Sequence, residues 1–208
     1  MVFIVIVTQI VPLTKSRSKI YIDEEFAFVL YKGELRSYRV KEQQEIEETV
    51  VEEILHTLLP KRAKLRCMNL LQSKDYTESQ LRRKLSEGGY PESVIDEALD
   101  YVKSYHYVDD ERYCKQYIEY QSTNRSRQRI ITDLMHRGIE KELILQTYEE
   151  MSDVVDPDAE LKQILKFLQK KKYDASLADY KEKQKIYASL ARKGFGQEQI
   201  RRALDITL

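Results

Sequence analysis

The chain has 208 residues, of which 34% are charged and only 6 are glycine and 4 proline. That composition is rich in helix formers, poor in turn formers, and points to a mainly α protein. Its 35 basic residues are matched by 35 acidic ones, which excludes the overall positive charge of a general DNA coat and leaves recognition to local patches.

The first sixty residues read differently from the rest. Residues 2–11, 19–31 and 34–40 are rich in Val, Ile, Tyr and Phe, as strands are, and "YKGEL" at 31–35 places a glycine where a hairpin loop would need one. A small antiparallel β unit is expected there. Ile20, Ile22, Phe26, Phe28 and Leu30 alternate, with Asp23 to Glu25 breaking the run at a bulge or turn. The apolar run "VFIVIV" ends after six residues with no basic stretch before it, too short for a signal core or a membrane span. From Glu42 the period becomes helical, with Ile46, Val50, Ile54 and Leu58 four apart, and Pro60 is expected to end that helix.

Downstream a pattern recurs three times. Leu81, Leu85, Gly89, Ile95 and Leu99 have the same offsets as Ile130, Leu134, Gly138, Ile144 and Tyr148, and as Ile186, Leu190, Gly194, Ile200 and Leu204. Apolar residues four apart share a helix face; a glycine just past them supplies a left-handed cap, and the next apolar pair opens a second helix. Thr77 with Gln80 makes a capping-box pattern, and Ser126 and Glu182 stand at the same place in the other copies. Another amphipathic segment precedes each pair, marked by Leu65, Met68 and Leu71, then Tyr113, Tyr117 and Tyr120, then Leu161, Ile164, Leu165 and Leu168. Each repeat is thus three helices. The expected organisation is a β unit plus helix over 1–60 and three-helix repeats over 61–108, 109–156 and 157–208, stacked as an elongated, curved structure.

Charge alternates along these pieces: residues 139–160 hold eight acidic residues and one basic, residues 161–208 five acidic and twelve basic. The basic side chains cluster near the turns, in Arg82, Arg83 and Lys84, in Arg125, Arg127, Arg129 and Arg137, and in Lys170, Lys171, Lys172, Lys181, Lys183 and Lys185. On helices such clusters are either solvated faces or binding patches, and these are the candidate partner-binding residues.

Other chemistry is not indicated. His56, His106 and His136 are isolated in sequence, and no G-x-S-x-G, phosphate-cradling loop or HExxH occurs. Asp109, Asp110 and Glu111 fit a helix start better than a metal site. Cys67 and Cys114, 47 positions apart without a CxxC, read as reduced structural thiols. The helical spacing of Tyr101, Tyr105, Tyr107, Tyr113, Tyr117 and Tyr120 favours core packing over base stacking. A DNA-reading helix-turn-helix has similar turn spacing, but the second helix would show Glu92, Ser93, Asp96 and Glu97 in the first copy and Glu140, Lys141, Glu142 and Gln146 in the second; only the third, with Gln197, Gln199, Arg201 and Arg202, suits DNA. No cofactor or membrane is expected, and the chain is read as a cytoplasmic monomer.

"LDYVKSYHYVDDERYCKQYI" (99–118) followed by "RIITDLMHRGIEKELI" (129–144) resembles the central repeat of the RecX family, regulators of the RecA recombinase. Tyr113 and Cys114 stand where that family usually has Phe-Ala, and His106 replaces a glycine. The resemblance covers 61–208, and the β unit resembles an extension carried by some members. It implies a non-enzymatic modulator that lies in the groove of the RecA filament and limits filament growth, ATP hydrolysis and strand exchange; the basic clusters and the turn spacing leave a DNA-binding tandem helix-turn-helix-like protein, with weak DNA binding, as the alternative.

Overall fold

The structure, a computed structural model, describes residues 3–206. Residue 2 of the expected first strand and residues 207 and 208 of the expected third repeat lie outside that range. Two compact units follow one another along the chain, Met1–Asp109 and Asp110–Leu208.

The first unit opens with strands β1 (Ile4–Pro12), β2 (Arg17–Ile22) and β3 (Glu25–Tyr31), then helix α1 (Lys32–Ser37) and strand β4 (Gln44–Glu47). They form one antiparallel sheet in the order β3-β2-β1-β4. The β2–β3 hairpin turns at Asp23 and Glu24, both at positive φ (49° and 73°), as a two-residue loop matching strand twist requires. Phe26 departs from the expected alternation: Ile20 pairs with Phe28 but Tyr21 with Phe26, so Ala27 is bulged out and Phe26 swings to the opposite face from Phe28. Phe28 is therefore buried, whereas Phe26 is 46% exposed.

Four expectations for this segment fail. "YKGEL" is not a hairpin loop and 34–40 is not a strand. Glu34 accepts a 2.7 Å hydrogen bond from the Tyr31 N–H and starts α1, with Gly33 inside it. Nor does a helix begin at Glu42, because 44–47 complete the sheet beside β1. Helix α2 (Glu48–Glu53) then passes through a π-helical turn (Ile54–Leu58) into α3 (Leu59–Leu71), so Pro60 does not stop the chain's helical course. A proline removes one N–H and crowds the carbonyl four residues back; the wider π turn accommodates both, and Pro60 falls in the first turn of α3.

Among the described residues, nine helices form the three repeats: α3, α4 (Glu78–Ser86) and α5 (Glu92–Ser104); α6 (Asp110–Gln121), α7 (Arg127–Met135) and α8 (Lys141–Glu150); α9 (Ala159–Lys171), α10 (Tyr180–Arg192) and α11 (Gln197–Ile206). The expected apolar pairs are buried, apart from half-buried Leu204. The three corner glycines adopt φ of 78°, 84° and 85°, and the next residue's N–H reaches back five positions to the carbonyl of Leu85, Leu134 or Leu190 at 3.2–3.3 Å. The same leucine thus fills the core with its side chain and closes the corner with its backbone.

The leading helices of the first two repeats bury a different face from the expected one. In α3 the buried residues are Leu59, Pro60, Ala63 and Cys67, while Leu65 is 56% exposed. In α6 Cys114 and Ile118 face the core, and Tyr120 is 76% exposed. Tyr101, Tyr105 and Tyr107 are exposed as well, forming a surface cluster in which Tyr105 stacks on Tyr107 at 5.8 Å and meets Tyr101 tilted at 5.0 Å, so the core assignment of the tyrosine track holds only in part, for half-buried Tyr113 and Tyr117. The sheet and the first repeat share one core, running from Val7, Ile20 and Phe28 through Ile54 and Leu59 to Leu81 and Leu99.

Candidate partner-binding surfaces

The basic clusters divide into side chains the fold uses and side chains it leaves free. Arg82 on α4 pairs with Asp96 at 2.7 Å, with Glu92, and with Glu78 at 3.8 Å. Its hydrogen bond to Asp96 is the largest of the effects that raise the guanidinium's pKa. It clamps the two helices that meet at the Gly89 corner and neutralises the acidic face of α5. Arg83 and Lys84 lie beside Glu87, at 3.9 and 3.1 Å.

The arginines of the second repeat are likewise engaged. Arg125 pairs with Asp133, which Arg129 also reaches at 3.2 Å. The Arg127 guanidinium lies 4.6 Å from the centre of the Tyr148 ring. Arg137 donates to the Tyr113 hydroxyl at 2.8 Å and packs over Tyr117 at 4.7 Å. Lys115 joins α6 to α8, 2.5 Å from Glu111 and 3.0 Å from Glu150. Its hydrogen bonds to those carboxylates raise its pKa.

The third repeat differs. Lys170, Lys171 and Lys172 at the end of α9, and Lys181, Lys183 and Lys185 on α10, are all exposed and make no ion pair with a described residue. Positive charge is therefore least compensated there. The Arg202 guanidinium of α11 is held 3.2 Å from Asp158.

Caps fix how successive repeats of the second unit join. Ser126 caps α7, accepting the Arg129 N–H at 3.3 Å, and its hydroxyl donates to the Lys193 carbonyl at 2.8 Å. From α9, Glu160 accepts the Arg127 N–H at 2.7 Å and Gln163 donates to the Ser122 carbonyl at 2.7 Å. The third repeat's cap is Asp179, whose carboxylate accepts the Glu182 N–H at 2.7 Å, so α10 begins about a turn before the expected cap position at Glu182. Thr77 and Gln80 form the capping box as expected.

Among the described residues no group of three or more His, Cys, Asp or Glu side chains could hold a metal, and no helix is long and apolar enough to cross a membrane. Both cysteines are buried free thiols; burial pushes Cys67 up to about 11 and raises Cys114. Sequence reasoning missed Arg17, Arg62 and Arg66. Two of these, four apart on α3, carried a helical signal, but their meeting with a strand some forty-five positions earlier did not.

Three glycine-cornered three-helix repeats in tandem, with charge set out in patches, define a helical-repeat protein. Profiles described as the first, second and third three-helix domains of RecX match residues 63–101, 109–147 and 158–204. A regulatory protein RecX from Caldanaerobacter subterraneus subsp. tengcongensis is 32% identical over 97% of this chain and 100% of its own length. One from Clostridioides difficile is 30% identical over 91% and 88%. The chain belongs to the RecX family. Two crystal structures share the fold: one of regulatory protein RecX has a TM-score of 0.62 at 22% identity, covering 97% of this chain and 99% of the other. A RecX from Lactobacillus salivarius has 0.60 at 18%, covering 72% and 96%.

Proposed function

We propose that this protein is a non-enzymatic regulator that binds the RecA–DNA filament and restrains its growth, ATP hydrolysis and strand exchange. The observation that carries the reading is full-length similarity, sheet and all three repeats, to proteins named regulatory protein RecX. Recognition distributed over several repeats suits a filament, since weak contacts linked in one chain act at high effective concentration. The lysines of the third repeat, which make no ion pair with a described residue, are the basic surface we assign to this contact; Arg82, Arg125, Arg127, Arg129 and Arg137 are engaged within their own repeats.

Titration into a RecA ATPase assay driven by single-stranded DNA tests the proposal. Inhibition should approach completion near stoichiometric amounts, and an unchanged hydrolysis rate there would sink it. Direct DNA binding is the second reading, favoured by the same six uncompensated lysines. It requires affinity for naked DNA at physiological salt better than the non-specific range of about 10⁻⁴ to 10⁻⁶ M.

A further inference from the structure

We propose that the first unit carries a phosphate-binding pocket between the sheet and the first repeat. A cavity of about 380 Å³ lies there, lined by Arg17 of β2, Tyr31 of β3, Arg62 and Arg66 of α3, and Lys84 and Glu87 at the end of α4. Four cations and one carboxylate line it, and one of the cations, Arg62, is paired with a second carboxylate, Glu34, at 2.6 Å.

Arg62 is the frame of this pocket. Its Nε donates to the Tyr90 hydroxyl at 3.1 Å, one terminal nitrogen to Glu34 at 2.6 Å and the other to the Val29 carbonyl at 2.7 Å. The Tyr31 and Tyr90 rings lie on it, with centroids 5.1 and 5.0 Å from the guanidinium carbon. These contacts tie α3 to the outer edge of β3 and hold both rings at the cavity wall.

Arg17 and Arg66 are different. Neither makes an ion pair or side-chain hydrogen bond with a described residue, yet both point into the same space. Lys84 shares its charge with Glu87 at 3.1 Å. Two unspent guanidinium forks and a partly compensated ammonium concentrate positive potential in one recess. Planar guanidinium groups match the paired oxygens of a phosphate. A metal cation has the wrong sign for this recess, and an apolar ligand would strand the charged groups. The volume falls in the range of small-ligand sites, about 300 to 1,000 Å³, so a phosphate seated on Arg17 and Arg66 leaves room for what it is attached to, beside the tyrosine rings. The chemistry is a phosphate group, either terminal, as on a nucleotide or a strand end, or internal to a nucleic-acid backbone. This site is independent of the reading of the protein as a RecA regulator.

The test uses the full chain, the double variant Arg17→Ala/Arg66→Ala and the charge-preserving Arg17→Lys/Arg66→Lys. Inorganic phosphate binding is measured by calorimetry, and binding of a short fluorescent oligothymidine, with and without a 5′-phosphate, by anisotropy. The parent chain should bind, the alanine pair should weaken binding about tenfold or more at unchanged melting temperature, and the lysine pair should restore part of it. Preference for the 5′-phosphorylated strand identifies a terminal phosphate as the ligand; equal binding of both strands identifies the backbone. Failure of every phosphate-bearing probe to bind the parent overturns the proposal. So does an alanine pair that binds as the parent does, or competition by a glutamate-rich peptide where no phosphate binds.

Discussion

The Ser126 hydroxyl donates a 2.8 Å hydrogen bond to the carbonyl of Lys193, 67 positions along the chain, while capping its own helix α7. Ser126 is almost fully buried, so one side chain satisfies the start of a helix in the second repeat and the corner of the third. Ser126→Ala removes the cap and orphans a carbonyl, a combined cost of about 2 to 3 kcal/mol. Asp179→Ala, removing an exposed cap without a second partner, should cost about 1 kcal/mol. Chemical denaturation of both variants checks the difference, and equal losses would contradict the bridging role.

At the first corner the restriction is steric as well as conformational. A Cβ on Gly89 would lie 2.3 Å from Val29 Cγ2, and φ is already +78°. Gly89→Ala should therefore destabilise by about 2 to 4 kcal/mol, from the left-handed backbone and overpacking together. Gly196→Ala, with open space around it, should leave the melting temperature within a degree or two. Thermal melts followed by circular dichroism separate the two.

Removing the charge of the third-repeat lysines should separate binding from stability. Replacing Lys170, Lys171, Lys172, Lys181, Lys183 and Lys185 with Gln breaks no described ion pair, so the melting temperature should hold while RecA inhibition weakens and loses much of its salt dependence. The triple change of Arg125, Arg127 and Arg129 to Ala should act the other way. It leaves Asp133, only 12% exposed, without its cations, and should lower stability by about 1 to 2 kcal/mol. Parallel melting and ATPase measurements over a salt series distinguish these outcomes.

The buried thiols give a pH signature. With burial pushing Cys67 up to about 11, the folded state keeps its proton after the unfolded chain has lost it. Stability contributed by this group is full below the unfolded value and falls as pH rises from about 9 towards 11. At pH 8 a thiol-specific reagent should react with the folded chain about a hundredfold more slowly than with the denatured chain. Comparable rates would mean that Cys67 is not buried as described.

The repeats were legible because their signals are local: an apolar pair, a glycine and another apolar pair lie within nineteen residues, and a left-handed corner allows little else. What escaped depends on partners distant in sequence. Residues 34–40 have strand-like composition, yet Glu34 meets Arg62 across 28 positions and the segment turns helical. Pro60 reads as a stop until a π turn absorbs it. The tyrosines share a helical period, but the period does not say which stripe faces inward, and in α6 it is the one bearing Cys114 and Ile118. Among the basic residues, sequence shows abundance and not occupation. Arg82 and Lys181 look alike in the chain, and only the fold shows that the first is engaged by three carboxylates while the second is exposed without an ion pair to any described residue.

Two of the glycine corners are also sockets. Val29 occupies the space beside Gly89, and the Ser126 hydroxyl lies where a Gly194 methyl would come within 2.7 Å. The missing side chain therefore admits a neighbour at the same point where it lets the chain reverse. One repeat could not be exchanged for another by matching helices alone, because each socket fits a different plug, an isopropyl group in one and a hydroxyl in the other. The order of the modules is written into their joints.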